Sequence, residues 1–136
     1  MKTFLILSSI LALASAVLAK PMALHIESKC ETCTPTNRER LATALRNNLR
    51  EFDVLEAESG AKAPTLRVFA LPQDSGWDLS EVVNSPRGTM ISVTREHFPG
   101  GFQEILDRGA DSAVVHAKKT VDDAIQRSKD AADKKK

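Results

Sequence analysis

The strongest constraint on this chain lies between residues 22 and 58, where one helical pattern is enclosed by two alternating ones. In "MALHIES" (22–28), Met22, Leu24 and Ile26 recur at every second position, the period of a strand with one buried face. Thr34 followed by Pro35, and the overlapping Thr36-x-x-Glu39, are both helix-start signals. The helix they open extends to about Phe52, with Leu41, Leu45, Leu49 and Phe52 on one stripe and Arg38, Glu39, Arg46 and Arg50 on the wet side. "FDVLEAE" (52–58) then alternates again. A strand, a crossover helix and a second strand in so short a segment predict a right-handed parallel unit.

Beyond it, "TLRVFAL" (65–71) is the clearest strand pattern, with Leu66, Val68 and Ala70 on one face. Residues 72–86 read as a long connection that holds Trp77 and a possible helical turn in "DLSEVV". Ser85-Pro86-Arg87-Gly88 has turn chemistry, and "TMISVT" (89–94) follows as a strand. After "FPGG" (98–101) the period becomes helical, with Gly109 expected to end one helix and Asp111 or Ser112 to start another. The predicted architecture is α/β: a small mixed four-stranded sheet in the order β-α-β-β-β-α(α), with the helices packed on it.

Residues 1–19, "MKTFLILSSILALASAVLA", have the basic start, apolar middle and small-residue end of a cleaved signal peptide. The expected organisation is therefore a leader at 1–19, a single domain at 20–130, and a charged, fraying tail at 131–136. The mature protein is expected to be secreted and to have no membrane partner. Lys and Arg number 19 against 18 Asp and Glu, and Lys2 leaves with the leader. That balance, with no Tyr and one Trp, argues against nucleic acid as a partner. No Gly-x-Ser-x-Gly elbow marks a nucleophilic serine. His25, His97 and His116 lack the paired spacing of zinc ligands, so neither metal nor cofactor is expected.

The chemistry-bearing motif is "ESKCETCTPTN" (27–37), which holds the only two cysteines, Cys30 and Cys33. A thiol ahead of a helix faces unpaired N–H groups and the positive end of the helix dipole, which favour the thiolate. Cys33 stands one turn on, where it could resolve a mixed disulfide made by Cys30. The same spacing in an oxidising compartment equally suits a small structural bridge.

"LHIESKCETCTPTNRERLATAL" resembles the strand–CxxC–helix opening of the thioredoxin superfamily, and "APTLRVFAL" (63–71) resembles its cis-proline segment. The element order is more similar to the selenoprotein-W-like branch, with "HFPGGF" (97–102) a loose echo of that branch's Gly-Phe-Pro segment. The resemblance implies a thioredoxin-like fold with Cys30 as nucleophile and Cys33 as resolving thiol. Pro64 would then be the cis-proline beside the pair, with Ala63 offering its backbone to a protein thiol substrate. The chain departs from the pattern in having only "GAKA" before Pro64 and Glu31-Thr32 between the cysteines.

Two functions follow as expectations. One is a thiol–disulfide redox protein working through Cys30 and Cys33. The other is a non-enzymatic secreted interaction protein, of effector or inhibitor type, that binds a protein partner through the 72–88 loop and Trp77 and in which the CxxC is only a structural disulfide.

Overall fold

The computed structural model describes residues 21–58 and 60–135. The expected leader and its cleavage point lie outside them.

The chain forms β1 (Ala23–Lys29), helix α1 (Pro35–Glu51), β2 (Leu55–Glu56), β3 (Thr65–Gln73), β4 (Gly76–Asn84) and β5 (Met90–Phe98). A single helical turn at Phe102–Glu104 and a π-helical turn at Ile105–Gly109 then lead into α2 (Ala110–Lys134). The five strands make one mixed sheet in the order β2-β1-β3-β4-β5. β1 runs parallel to both β2 and β3, whereas β3–β4 and β4–β5 are antiparallel. This corrects the expected four-stranded sheet, and with it the thioredoxin-like architecture.

Local chemistry explains the first half. Thr34 is the N-cap of α1, its hydroxyl accepting the Asn37 N–H at 3.2 Å, and Pro35 takes the first helical position, where a missing N–H costs nothing. Leu41, Leu45 and Leu49 are buried. The helix ends as Asp53 turns to φ 57°, and Val54 N–H closes on the Leu49 carbonyl at 2.8 Å. The strand expected over 52–58 shrinks to Leu55–Glu56, because only there does the chain run beside β1.

The expected connection at 72–86 is instead a hairpin. β3 continues through Pro72 to Gln73, which pairs with Gly76 across Asp74–Ser75. Pro72 fits because β1 reaches only as far as Phe69, so no neighbour on that side needs its N–H. Gly76, at φ 134°, is required by crowding: a Cβ there would lie 2.3 Å from the Phe98 carbonyl oxygen. β4 escapes a pattern search because its core-facing positions are Leu79, Glu81 and Val83, and a buried glutamate breaks the apolar alternation.

Register puts Leu66, Val68, Ala70, Leu79, Glu81, Val83 and Phe98 on one face of the sheet. Both helices cover that face, α1 through its leucines and α2 through Ala110, Ala113, Val114, Ala117 and Val121. Gly109 does not end a helix. It keeps helical angles within the π-turn and brings the backbone close to Leu79 and Phe98, each 3.2 Å from where its Cβ would stand. The opposite face, carrying Arg67, Phe69, Leu71, Val82, Val93, Arg95 and His97, meets no helix among the described residues.

Candidate functional site

Cys30 follows the last residue of β1, and Cys33 immediately precedes the N-cap of α1. The two are joined in a disulfide, with Cα atoms 5.3 Å apart. Cys33 N–H also donates to the Cys30 carbonyl at 3.3 Å, closing the turn. Arg38, one turn into α1, reaches back and donates from Nε to the Cys30 carbonyl at 2.9 Å and from Nη2 to the Glu31 carbonyl at 3.0 Å. The corner between strand and helix is thus fastened by a covalent bridge and a guanidinium fork. Cys30 retains only 5% of its exposure and Cys33 only 8%, and both belong to the hydrophobic core.

The other expected site residues lie elsewhere. Because β3 runs parallel to β1, its leading proline is at the opposite end of the sheet from the cysteines. Pro64 accepts the His25 N–H at 2.9 Å, whereas Cys30 follows the Lys29–Phe69 pair. Five residues of strand separate the two levels, roughly 16 Å at about 3.3 Å per residue. Among the described residues no peptide bond is cis. Ala63 and Pro64 instead line a groove of about 800 Å³ between that sheet end and the second half of α2, with Met22, Ile91, Val121 and Ile125 on its walls. Trp77 is at the cysteine end but two strands away, within β4 rather than in a loop. It is half-buried and packs edge-to-face on Phe102, ring centroids 5.2 Å apart.

A polar cluster that motif reasoning passed over sits on the helix-free face beside the β3–β4 turn. Asp78 is held between two side chains of β5: Arg95 donates to its Oδ2, with Nε at 2.9 Å, and His97 Nδ1 lies 2.6 Å from its Oδ1. The His97 hydrogen bond, followed by Arg95, keeps the Asp78 carboxyl below the usual carboxylate range despite its burial. His97 Nε2 lies 3.3 Å from Ser75 Oγ, so serine, histidine and aspartate line up in the order of a hydrolytic relay. The Ser75 carbonyl, however, lies as near the same nitrogen, at 3.2 Å, so Nε2 is shared between a hydroxyl and a carbonyl of one residue rather than dedicated to the serine hydroxyl. Ser75 is exposed on a two-residue turn. The arrangement is a clasp across the hairpin. Its members are separated by 17 to 22 positions, a spacing that no local motif marks.

On the helix-covered face of the same strand, Glu81 is 3% exposed and accepts a hydrogen bond from Thr94 Oγ1 at 3.2 Å. Burial, augmented by the nearby Glu96, pushes its carboxyl up to about 7. Glu96 in turn accepts from Ser112 of α2 at 3.1 Å, and Ser92 lies 3.2 Å from His116 Nε2. A polar seam therefore runs under α2 along β5.

No protein-family model matches the chain, and no curated protein matches it by sequence. Among solved structures, TolB from Acinetobacter baumannii superposes with a TM-score of 0.50 at 8% identity, over 73% of this chain and 28% of its own. The PelC dodecamer from Paraburkholderia phytofirmans gives 0.49 at 14% identity, over 74% and 86% of the two chains. The rare lipoprotein B from Shewanella oneidensis gives 0.36 at 11% identity, over 81% and 98%. The chain thus spans little more than a quarter of TolB, and at 8% identity that likeness is one of fold alone. It replaces the thioredoxin-like expectation with a TolB-type arrangement of strands and helices.

Proposed function

We propose that this chain is a small secreted protein that acts by binding a protein partner, and that its Cys30–Cys33 disulfide is a structural staple rather than a redox centre. The observation that carries this reading is the burial of both cysteines beneath a corner already clamped by Arg38. Thiol–disulfide exchange needs an incoming thiolate to reach a sulfur, and buried bridges are the inert ones. Pro64 adds to the case, since a segment roughly 16 Å from the pair cannot shape a substrate groove around it. Secretion rests on the pattern of residues 1–19.

The test is insulin reduction together with a glutathione titration of the mature chain. The expected result is no catalysed reduction and a potential below about −300 mV, the range of structural bridges. The paired substitution Cys30→Ser and Cys33→Ser should leave the far-UV spectrum intact and cost about 2 kcal/mol, the loop-entropy value for so short a ring. Catalysed insulin reduction that disappears in Cys30→Ser would overturn the proposal in favour of exchange chemistry. That second reading retains one support, the position of Cys33 directly before the α1 N-cap, where a freed thiol would meet the helix dipole.

A further inference from the structure

The two edges of the sheet are unequal. β2 closes one side with two residues, too few to template another strand. β5 closes the other with nine, paired only to β4, so half of its backbone donors and acceptors face outward without a strand partner among the described residues. Edges of this length are ordinarily protected by proline, by lysine, or by a bulge that twists them away. β5, "MISVTREHF", has neither residue, and its register shift, a bulge at Ile91 between the Val83–Ser92 and Asn84–Met90 pairs, leaves Ser92–Phe98 in regular pairing. Its outward apolar side chains are Met90, 61% exposed, and Val93, 56% exposed.

We propose that β5 pairs antiparallel with β5 of a second copy of this chain, around a twofold axis through Thr94, joining two five-stranded sheets into one. The charge pattern of the strand selects this occupant and this register. A twofold axis perpendicular to a sheet keeps each face on its own side, so the axis must pass through a residue. Centring on Thr94 pairs the regular stretch Ser92–Glu96, which stops short of the bulge at Ile91. Thr94 meets itself, Ser92 meets Glu96, and Val93 meets Arg95. On the helix-covered face each Ser92 hydroxyl then stands opposite a Glu96 carboxylate, twice over. On the open face each Val93 lies against the aliphatic stem of Arg95, also twice. No like charges stand directly opposite one another, whereas moving the axis to Arg95 or Glu96 would oppose two identical charges, and moving it to Val93 would carry the pairing into the bulge at Ile91. This proposal stands apart from the binding function above and does not depend on the state of the disulfide.

Light scattering over a concentration series of the mature chain tests it, with two variants at an exposed position that leaves the core untouched. The wild type should show twice the chain mass at high concentration. Val93→Lys places a cation opposite Arg95 at two symmetry-related points and should weaken the dimer at least tenfold. Val93→Glu places an anion there and should keep or tighten it. Hydrogen exchange should show the outward amides of β5 protected in the wild type and in Val93→Glu, and unprotected in Val93→Lys. A wild type that stays monomeric overturns the proposal, as does a dimer indifferent to both variants. Equal disruption by Lys and Glu overturns the Thr94 axis, since it would mean that Val93 faces itself.

Discussion

β4 buries two carboxylates three residues apart, and its two faces treat them oppositely. Asp78, on the helix-free face, has a guanidinium and an imidazole within hydrogen-bond reach and is held in its charged form. Glu81, beneath α2, has a hydroxyl as its hydrogen-bond partner among the described residues and a second carboxylate nearby, and its pKa rises to about 7. Depth alone does not decide the fate of a buried acid. What decides it is whether the groups that exclude water also supply compensating charge, which an open face with arginine and histidine does and a helix-covered seam of Ser, Thr and Glu does not.

The contrast is broken most strongly at Glu81. Its folded pKa of about 7 stands above the ordinary 4.5, so the folded state binds the extra proton. Stability is therefore greatest below about pH 4.5 as far as this group is concerned, and it falls as pH rises toward 7. The loss amounts to about 3 kcal/mol at roughly 1.4 kcal/mol per pKa unit. Glu81→Gln should abolish this slope and make the protein more stable than wild type at pH 8, as measured by urea denaturation at pH 5 and 8. An unchanged slope would show that Glu81 stays charged in the fold.

Thr94→Val keeps the shape of the side chain and removes the hydroxyl that donates to Glu81. It should cost about 1.5 kcal/mol at pH 8, where the carboxylate is charged, and less at pH 5, where it is protonated. Equal losses at the two pH values would separate the hydroxyl from the titration.

The smallest effect is expected at Asp78, because its partners are largely exposed and screened by solvent and salt. Its folded pKa is lowered, so its contribution is present above the ordinary carboxylate pKa and fades as pH falls through the folded value. Asp78→Asn should lower the melting temperature slightly at pH 7, less so in 1 M salt, and progressively less as pH falls through the folded value. The two acids thus act in opposite directions in separate pH windows, and a wild-type stability profile should show both limbs.

These side chains also show what could be read from the sequence. The β1–α1 segment was legible because its signals are local: Thr34 and Pro35 start the helix, and a leucine stripe carries it. β4 was hidden because Glu81 occupies a core position, so its strand alternation does not look apolar. β5 is inverted in the same way. Ser92, Thr94 and Glu96 face the helix, while Val93 faces outward. Gly109 has the look of a helix stop, and only its closeness to Leu79 and Phe98 shows that it is there for packing.

The Cys-x-x-Cys motif marks the division most clearly. Chain order alone determined that the cysteines would lie at a strand-to-helix corner, because capping and periodicity act over a few residues. Whether Pro64 would stand beside them depended on the direction of β3, which is settled by long-range pairing. The parallel alignment of β1 and β3 sends Pro64 to the far end of the sheet. Burial of the disulfide, the Asp78 clasp and the raised pKa of Glu81 were likewise decided only when strands distant in sequence met. Solvation and charge pairing are properties of what surrounds a residue in space, and its neighbours along the chain do not specify them.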